Sequence, residues 1–354
     1  MTLESGQGPI DGTHYLEATP ENVTWGRLPS RTTPCALTVA SGDTVTFDTV
    51  SHEGILEDQG GDPVAFFGRY GVAAADVLSD ARLLAKSPHL RDPDHDGPHV
   101  VTAPVHVTGA EPGDLLRVDI LSLHRRAAYG LVSSRHGRGA LPERFALDGP
   151  EFTFCAVDGE LGVIRYAEDR AARFPLHPFM GIMGVATDTD ETAHSVPPGR
   201  HGGNIDVKHL ATGATLYLPV QTEGAGFHTG DPHYAQGNGE VALTALEAPL
   251  RATFRLTVLK GARARAAAGT LAEPFGETEH HWIPIGLHED LNLAMKAAVR
   301  SALTFLTDRF GMEPHAAYAY LSAAADFEVS QVVDQVQGVH CLIRKADFVS
   351  GSAL

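Results

Sequence analysis

The chain has 354 residues, 27 lysines and arginines against 44 aspartates and glutamates, a formal net charge of −17, and 43% hydrophobic residues. That length buries a sizeable core, as one large domain or two ordinary ones. The acidic balance argues against nucleic acid or an anionic membrane as partner, because both repel it, and no apolar run approaches the ~20 residues of a membrane-spanning helix.

The opening MTLESGQGPIDG lacks the basic-then-apolar pattern of a secretory signal. Cys35, Cys155 and Cys341 form no CxxC pair and are odd in number, so the expectation is a reducing, cytoplasmic compartment without a disulfide framework. To about residue 270 the pattern is short β runs between turn signals. CALTVASGDTVTFDTV (35–50) predicts a hairpin or a strand-turn-strand, and HVVTAPVHVTGAEPGDLLRVDILSL (99–123) repeats the design, a weak sign of internal duplication. EFTFCAVDGELGVIRY (151–166) predicts a hairpin around Asp158-Gly159. ATLYLPVQT (214–222) and EVALTALEAPLRATFRLTVLK (240–260) predict strands, with Pro219 and Pro249 at edges or bulges.

Helix is predicted over 75–87 and 289–311. In the second, Leu291, Met295, Ala298, Ala302, Phe305 and Leu306 share one face, Gly311 stands at the C-terminal cap and Pro314 follows. A second helix over 317–327 packs on the first, and EVSQVV and VHCLIRK return to strand, with Cys341 in the core. One unit over 1–354 is expected, or two intertwined β subdomains with helices near 289–327.

Chemistry concentrates in GFHTGDPHYAQGNGE (226–240), which gathers His228, Asp231, His233 and Glu240 among glycines. Gly230 and Pro232 exclude a helix, and an irregular loop would let imidazoles and carboxylates converge on a cation with an open position. Hydrogen bonding among these side chains alone is the plainer reading. Asn204, Asp206 and Lys208 alternate, so a strand would point them to one face beside His201. TFDTVSHEG (46–54) adds Asp48, His52 and Glu53. Asp92, Asp94, His95, Asp96 and His99 form a weak cation-binding pattern, of which Asp92 to Asp96 read first as a solvated acidic loop. There is no GxSxG elbow and no phosphate-binding Gly-rich loop.

HGGNIDVKHLATGATLYLPV followed by GFHTGDPHYAQGNGEVALTALE resembles the signature region of the acetamidase/formamidase family. TAPVHVTGAEPGDLLRVDIL is similar to that family's GAEPGD stretch, and YLSAAADFEVSQVVD to its C-terminal segment. The resemblance implies a mainly β, jelly-roll-like β-sandwich with a C-terminal helical pair. It also implies a homo-oligomer, a divalent metal (zinc first, calcium as the alternative) and hydrolysis of small linear amides. Lactam or carbamoyl hydrolysis, or metal or small-molecule binding without catalysis, are the alternatives. The family's motif residues fall on Asn204, Asp206 and Lys208, and on Gly230, Asp231, His233, Gln236, Gly237, Gly239 and Glu240. Asn238 stands where the family commonly has Asp, Ala103 replaces a glycine, and His228 is absent from many relatives. Asp206 and His233 are then the first expected metal ligands, with His52, His228 and Asp231 in reserve. Glu240 is the expected general base and later proton donor, with Lys208 or Asn204 at the oxyanion. Tyr234 and Phe227 would shape a small pocket. Arg125, Arg126, Arg135 and Arg138 would either meet an acidic substrate group or form a basic surface.

Overall fold

The computed structural model describes residues 2–87, 90–135, 137–270 and 272–348. Strands dominate, in two large sheets. The first runs His14–Leu16, Thr44–Asp48, Leu250–Leu259, Leu115–Arg125, Thr215–Pro219, Phe275–Glu277, His281–His288, Gln337–Arg344 and Asp326–Gln331. The second runs Arg170–Pro175, Leu161–Ala167, Glu151–Asp158, Tyr129–Ser134, Leu246–Glu247, His228–Ala235, Phe179–Gly184 and Gly202–Asn204. Val100–Thr102 joins this sheet at Gly230 and carries Val23–Trp25. One apolar core lies between the sheets, with Val45, Phe47, Val118, Leu216 and Phe254 from the first against Met180, Met183, Tyr234 and Leu246 from the second. This is the expected mainly β sandwich.

The two β-turn-β units lie side by side. Leu37–Val39 pairs in parallel with Val105–Val107, and Thr44–Asp48 and Leu115–Arg125 flank Leu250–Leu259 on its two edges. Neither unit is a hairpin, because its strands enter different sheets. The 151–166 stretch is one, with Asp158 opposite Leu161. Pro219 corrects its prediction: it ends a strand that is interior to the first sheet, at the last rung against Leu115. Pro249 lies where the chain crosses from one sheet to the other.

The long C-terminal helix is Leu291–Phe310, capped by Asp290, whose side chain accepts from Leu293 N, and ended by Gly311 at φ +64°. Its buried stripe is Ala294, Ala298, Ala302, Phe305 and Leu306, while Met295 is exposed. The shift follows from close approach to the sheet: a Cβ on Gly286 would lie 2.0 Å from Ala298 N, so only alanines fit there. The second helix, Pro314–Ala324, begins earlier than predicted because Glu313 caps it, and Asp326 and Phe327 already belong to a strand. The 75–87 helix divides into a short turn at Ala74–Asp76 and a helix at Ser79–Ala85. Among the described residues no helix is long and apolar enough to cross a membrane.

Candidate active site

The 226–240 stretch is not the irregular loop expected. His228–Ala235 is an eight-residue strand inside the second sheet, between Phe179–Gly184 and Leu246–Glu247. Gly230 is required by crowding, since a Cβ there would meet Val100 O at 2.6 Å. The two-residue period then divides the side chains. Asp231 and His233 share one face, whereas His228 and Tyr234 take the other.

Asp231 and His233 meet the rest of the site over Gly181, which lies opposite Asp231 on the neighbouring strand. A Cβ on Gly181 would be 2.5 Å from Asp206 Oδ1, 2.6 Å from Asp231 Oδ2 and 2.8 Å from His233 Cε1. Asp206 arrives because the chain leaves Gly202–Asn204 and folds over Gly181, with Ile205 N donating to Gly181 O at 3.1 Å. Three site carboxylates occupy left-handed backbone: Asp206 at φ +48°, Asp231 at +53° and Glu240 at +47°. Non-glycine residues adopt that region rarely and at a cost of about 1–3 kcal/mol, and such strain clusters at functional sites.

The ring of His233 is fully buried. Its Nε2 lies 3.0 Å from Asp231 Oδ2 and 3.1 Å from Glu247 Oε1, and its Nδ1 is 3.2 Å from Gln236 Oε1. On the far side of Asp231, His52 Nδ1 is 3.7 Å and His99 Nε2 3.8 Å from Oδ1. Ser195 Oγ holds His99 Nδ1 at 2.9 Å. Glu53 holds His52 Nε2 at 3.2 Å and is itself gripped by Arg135, with 2.7 and 2.9 Å contacts. Such outer partners fix ring orientation. Ligand atoms lie within 4.8 Å of one another in three overlapping groups here: His52, His99 and Asp231; Asp231, His233 and Glu247; Asp206, His233 and Glu240.

Burial shapes the charges. It raises Asp206, with Asp334 adding repulsion, and raises Glu240, with Asp206 adding to it. Asp334 is raised by burial and then Glu240, and Glu247 is pushed up to about 7 by burial opposed by His233. Burial works against charge on Asp231, yet His99 and His233 hold its carboxyl well below the usual range. Burial brings His99 down to about 4. It also opposes charge on His52 and His233, but Glu53 outweighs it for the first, and Glu247 and Asp231 for the second.

His52 Nδ1, Asn204 Oδ1, Asp231 Oδ1 and Glu247 Oε2 are buried without a hydrogen-bond partner, and Asp206 and Asp334 face each other carboxyl to carboxyl, a pair that needs a shared proton or a cation. So many orphaned acceptors at one point are costly unless a cation satisfies them. The donor set, imidazoles with carboxylates, suits a zinc-class divalent ion. A cavity of about 720 Å³ reaches the cluster, lined by His52, His99, Asn204, Asp231, Glu240 and Glu247 among others.

The structure thus brings together Asn204, Asp206, Asp231, His233, Glu240 and His52. It does not bring in His228, whose Nδ1 lies 3.2 Å from Gly226 O on the opposite strand face and whose imidazole burial lowers to about 3. Lys208 is half-buried in a turn beyond the strand and lines a neighbouring cavity of about 850 Å³, which Glu240 also borders. Tyr234 and Phe227 are core residues, and the Tyr234 hydroxyl donates to main-chain carbonyls. Of the arginines, Arg125 pairs with Glu160 at the surface and Arg126 with buried Asp80, while Arg135 and Arg138 reach the cavity. Glu247, Asp334 and the floor at Gly181 escaped the sequence reading, and His99 was noted only within the weak cation-binding run at 92–99. Glu247, a lone acid amid the apolar residues of TALEAPL, was the one with a visible signal.

The Acetamidase/Formamidase family model matches residues 85–190 and 184–344. A formamidase from Methylophilus methylotrophus is 29% identical over 206 residues, 43% of this chain and 49% of the relative. An acetamidase from Mycolicibacterium smegmatis is 28% identical over 207 residues, 43% of this chain and 51% of the relative. The chain therefore spans about half the length of these curated relatives. A solved acetamidase structure from Bacillus halodurans superposes with a TM-score of 0.74 at 26% identity, covering 94% of this chain and 98% of that one.

Proposed function

The chain belongs to the acetamidase/formamidase family, and from that premise we propose that it hydrolyses the C–N bond of a small amide to carboxylate and ammonia, with a divalent cation at the Asp231 cluster. The observation that carries this reading is the set of buried, unpartnered atoms Asp231 Oδ1, Glu247 Oε2 and His52 Nδ1, from three residues that line one cavity. Asp231, His52 and His99 would hold the cation, with His233, Glu247 and Asp206 as its neighbours; zinc is the first choice and calcium the alternative. Bound there, it would supply Lewis-acid activation of water and of the amide carbonyl.

The protein's own groups account for the rest. Glu240 is the general base: burial and Asp206 raise its carboxyl, so it takes a proton readily from water and returns it to the departing nitrogen. Asn204 lines the cavity and its amide group is the oxyanion donor, a role in which one donor is typically worth roughly 3 kcal/mol. Lys208 lines the neighbouring cavity, so we assign that role to Asn204 first. Gln236 positions His233 through Nδ1 and ties Asp206 by donating to its carbonyl at 3.0 Å. A cavity of about 720 Å³ favours an amide bulkier than formamide.

The test is ammonia release from formamide, acetamide, longer amides and a lactam, beside elemental analysis. Glu240→Gln should lower kcat at least ~100-fold with metal content unchanged. Full turnover in that variant removes Glu240 from the mechanism. Undiminished turnover after chelation removes the cation.

A further inference from the structure

A second cluster of ligand side chains lies outside this site. Glu328, on the edge strand of the first sheet, stands directly across from His340 on the adjoining strand. His209, in the turn after Asp206, closes the group. His209 Nε2 and His340 Nε2 are each 3.4 Å from Glu328 Oε2, and the two rings are 5.1 Å apart. The three ligand atoms lie within 4.8 Å of one another.

His340 shows that this is more than a hydrogen-bonded group. Its side chain is fully buried, and its Nε2, aimed into the cluster, has no hydrogen-bond partner. The contact to Glu328 lacks hydrogen-bond alignment despite its length. The other nitrogen, Nδ1, is held by Ser330 Oγ at 2.8 Å, the arrangement that fixes tautomer and orientation in a metal-binding histidine. Burial disfavours the charged imidazole at both His340 and His209. Burial opposes charge on Glu328, and its contacts to His209, His340 and Asn238 together hold its carboxyl below the usual range. Lys208 is the nearby charge that works against a cation.

Asn238 gives the cluster its link to this particular chain. Its amide Nδ2 donates to Glu328 Oε2. An aspartate at 238, the residue the resemblance leads one to expect, would face Glu328 with like charge. The same loop is tied to the edge strand by Gly239 N donating to Ser330 O at 2.9 Å and by Gln236 donating to the same carbonyl at 3.1 Å.

We propose that His209, Glu328 and His340 form a second divalent-cation site of the zinc class. Two imidazoles and a carboxylate leave a fourth position open, and His209 borders the cavity of about 850 Å³ from which water or a small anion would fill it. A cation there clamps the edge strand, through Glu328 and Asn238, to the loop that carries Glu240. The inference stands apart from amide hydrolysis and rests on different residues.

The experiment strips the full chain with a chelator, reloads it with zinc chloride, and counts zinc per chain after desalting, beside a calorimetric zinc titration. His209→Gln and Glu328→Gln should each bind one zinc fewer than the unmodified protein, with unchanged circular dichroism. His209 is partly exposed, so its replacement leaves the core intact, and Glu328→Gln is the second, independent variant. The zinc kept by His99→Gln, which damages the other cluster, should be lost in His99→Gln/His209→Gln. Ser330→Ala should weaken the second site roughly 10-fold, as loss of an outer partner does. Equal zinc number and affinity in His209→Gln, Glu328→Gln and the unmodified chain would overturn the proposal, as would no zinc uptake by the unmodified chain.

Discussion

Alanine at Gly181 would place one methyl group on the floor of the site. Its Cβ would lie 2.5, 2.6 and 2.8 Å from Asp206 Oδ1, Asp231 Oδ2 and His233 Cε1. Carbon contacts settle at roughly 3.5 Å, so each of the three groups must retreat by about 1 Å. A displacement of that size costs about 100-fold in rate when it moves reacting groups. The backbone itself accepts alanine, because Gly181 lies in a regular strand and outside the left-handed region. Relief of unfolded-chain entropy contributes about 0.4–1 kcal/mol, set against an overpacking cost of about 1–3 kcal/mol. The variant should therefore fold, melt only a few degrees lower, and lose both cation and about 100-fold in ammonia release. Melting temperature, zinc content and turnover measured on one preparation separate these effects. A Gly181→Ala protein with normal zinc and normal turnover would refute the idea that ligands converge over this residue.

Three further outcomes follow from the geometry. His99→Gln removes an imidazole from Asp231, so zinc affinity, read by competition with a chromophoric chelator, should fall by at least ~10-fold; unaltered affinity would take His99 out of the ligand set. Without metal, Glu247 titrates near 7 in the folded chain, above its ordinary 4.5. The folded state therefore holds a proton the unfolded state has released, and that stabilisation, complete below about pH 4.5, disappears as pH rises through 7. In metal-free protein the stability difference between the unmodified chain and Glu247→Gln should shift against the unmodified chain from pH 6 to pH 8; an identical pH slope in the two would contradict this. Asp48 accepts from Arg251 Nε at 2.6 Å and Nη2 at 2.9 Å in a buried pair. Asp48→Asn should cost about 3–5 kcal/mol in denaturant unfolding, because it strands a buried guanidinium, and should leave zinc content alone. A loss within experimental error would mean that Arg251's carbonyl partners suffice.

The sequence carried the local parts of this structure well. Helical spacing and the Gly311 stop marked Leu291–Phe310, and Asp158-Gly159 marked its hairpin. The central strand was misread because Gly230 and Pro232 look like loop residues, whereas crowding by Val100 demands the first and the strand register tolerates the second opposite Met180. That misreading promoted His228 to the site: a loop has no faces, and a strand has two. The site's other half was hidden because its residues come from distant segments. His99 and Glu247 are 148 positions apart in the sequence and meet only through Asp231 and His233. Asp334 was quoted in the C-terminal likeness, but no local spacing could say that Gln331 would bend it back, through Oε1, toward Asp206.

The left-handed backbone at Asp206, Asp231 and Glu240 bears on how this centre can change over time. Asparagine and glycine accept that conformation easily, while alanine, valine or serine adds strain to the loss of charge. Alanine scanning here would report two injuries as one, whereas Asp→Asn isolates the missing carboxylate. By the same logic, a lineage losing the charge at these positions would pass most cheaply through asparagine or glycine at these three codons, leaving a recognisable scar in an otherwise intact sandwich.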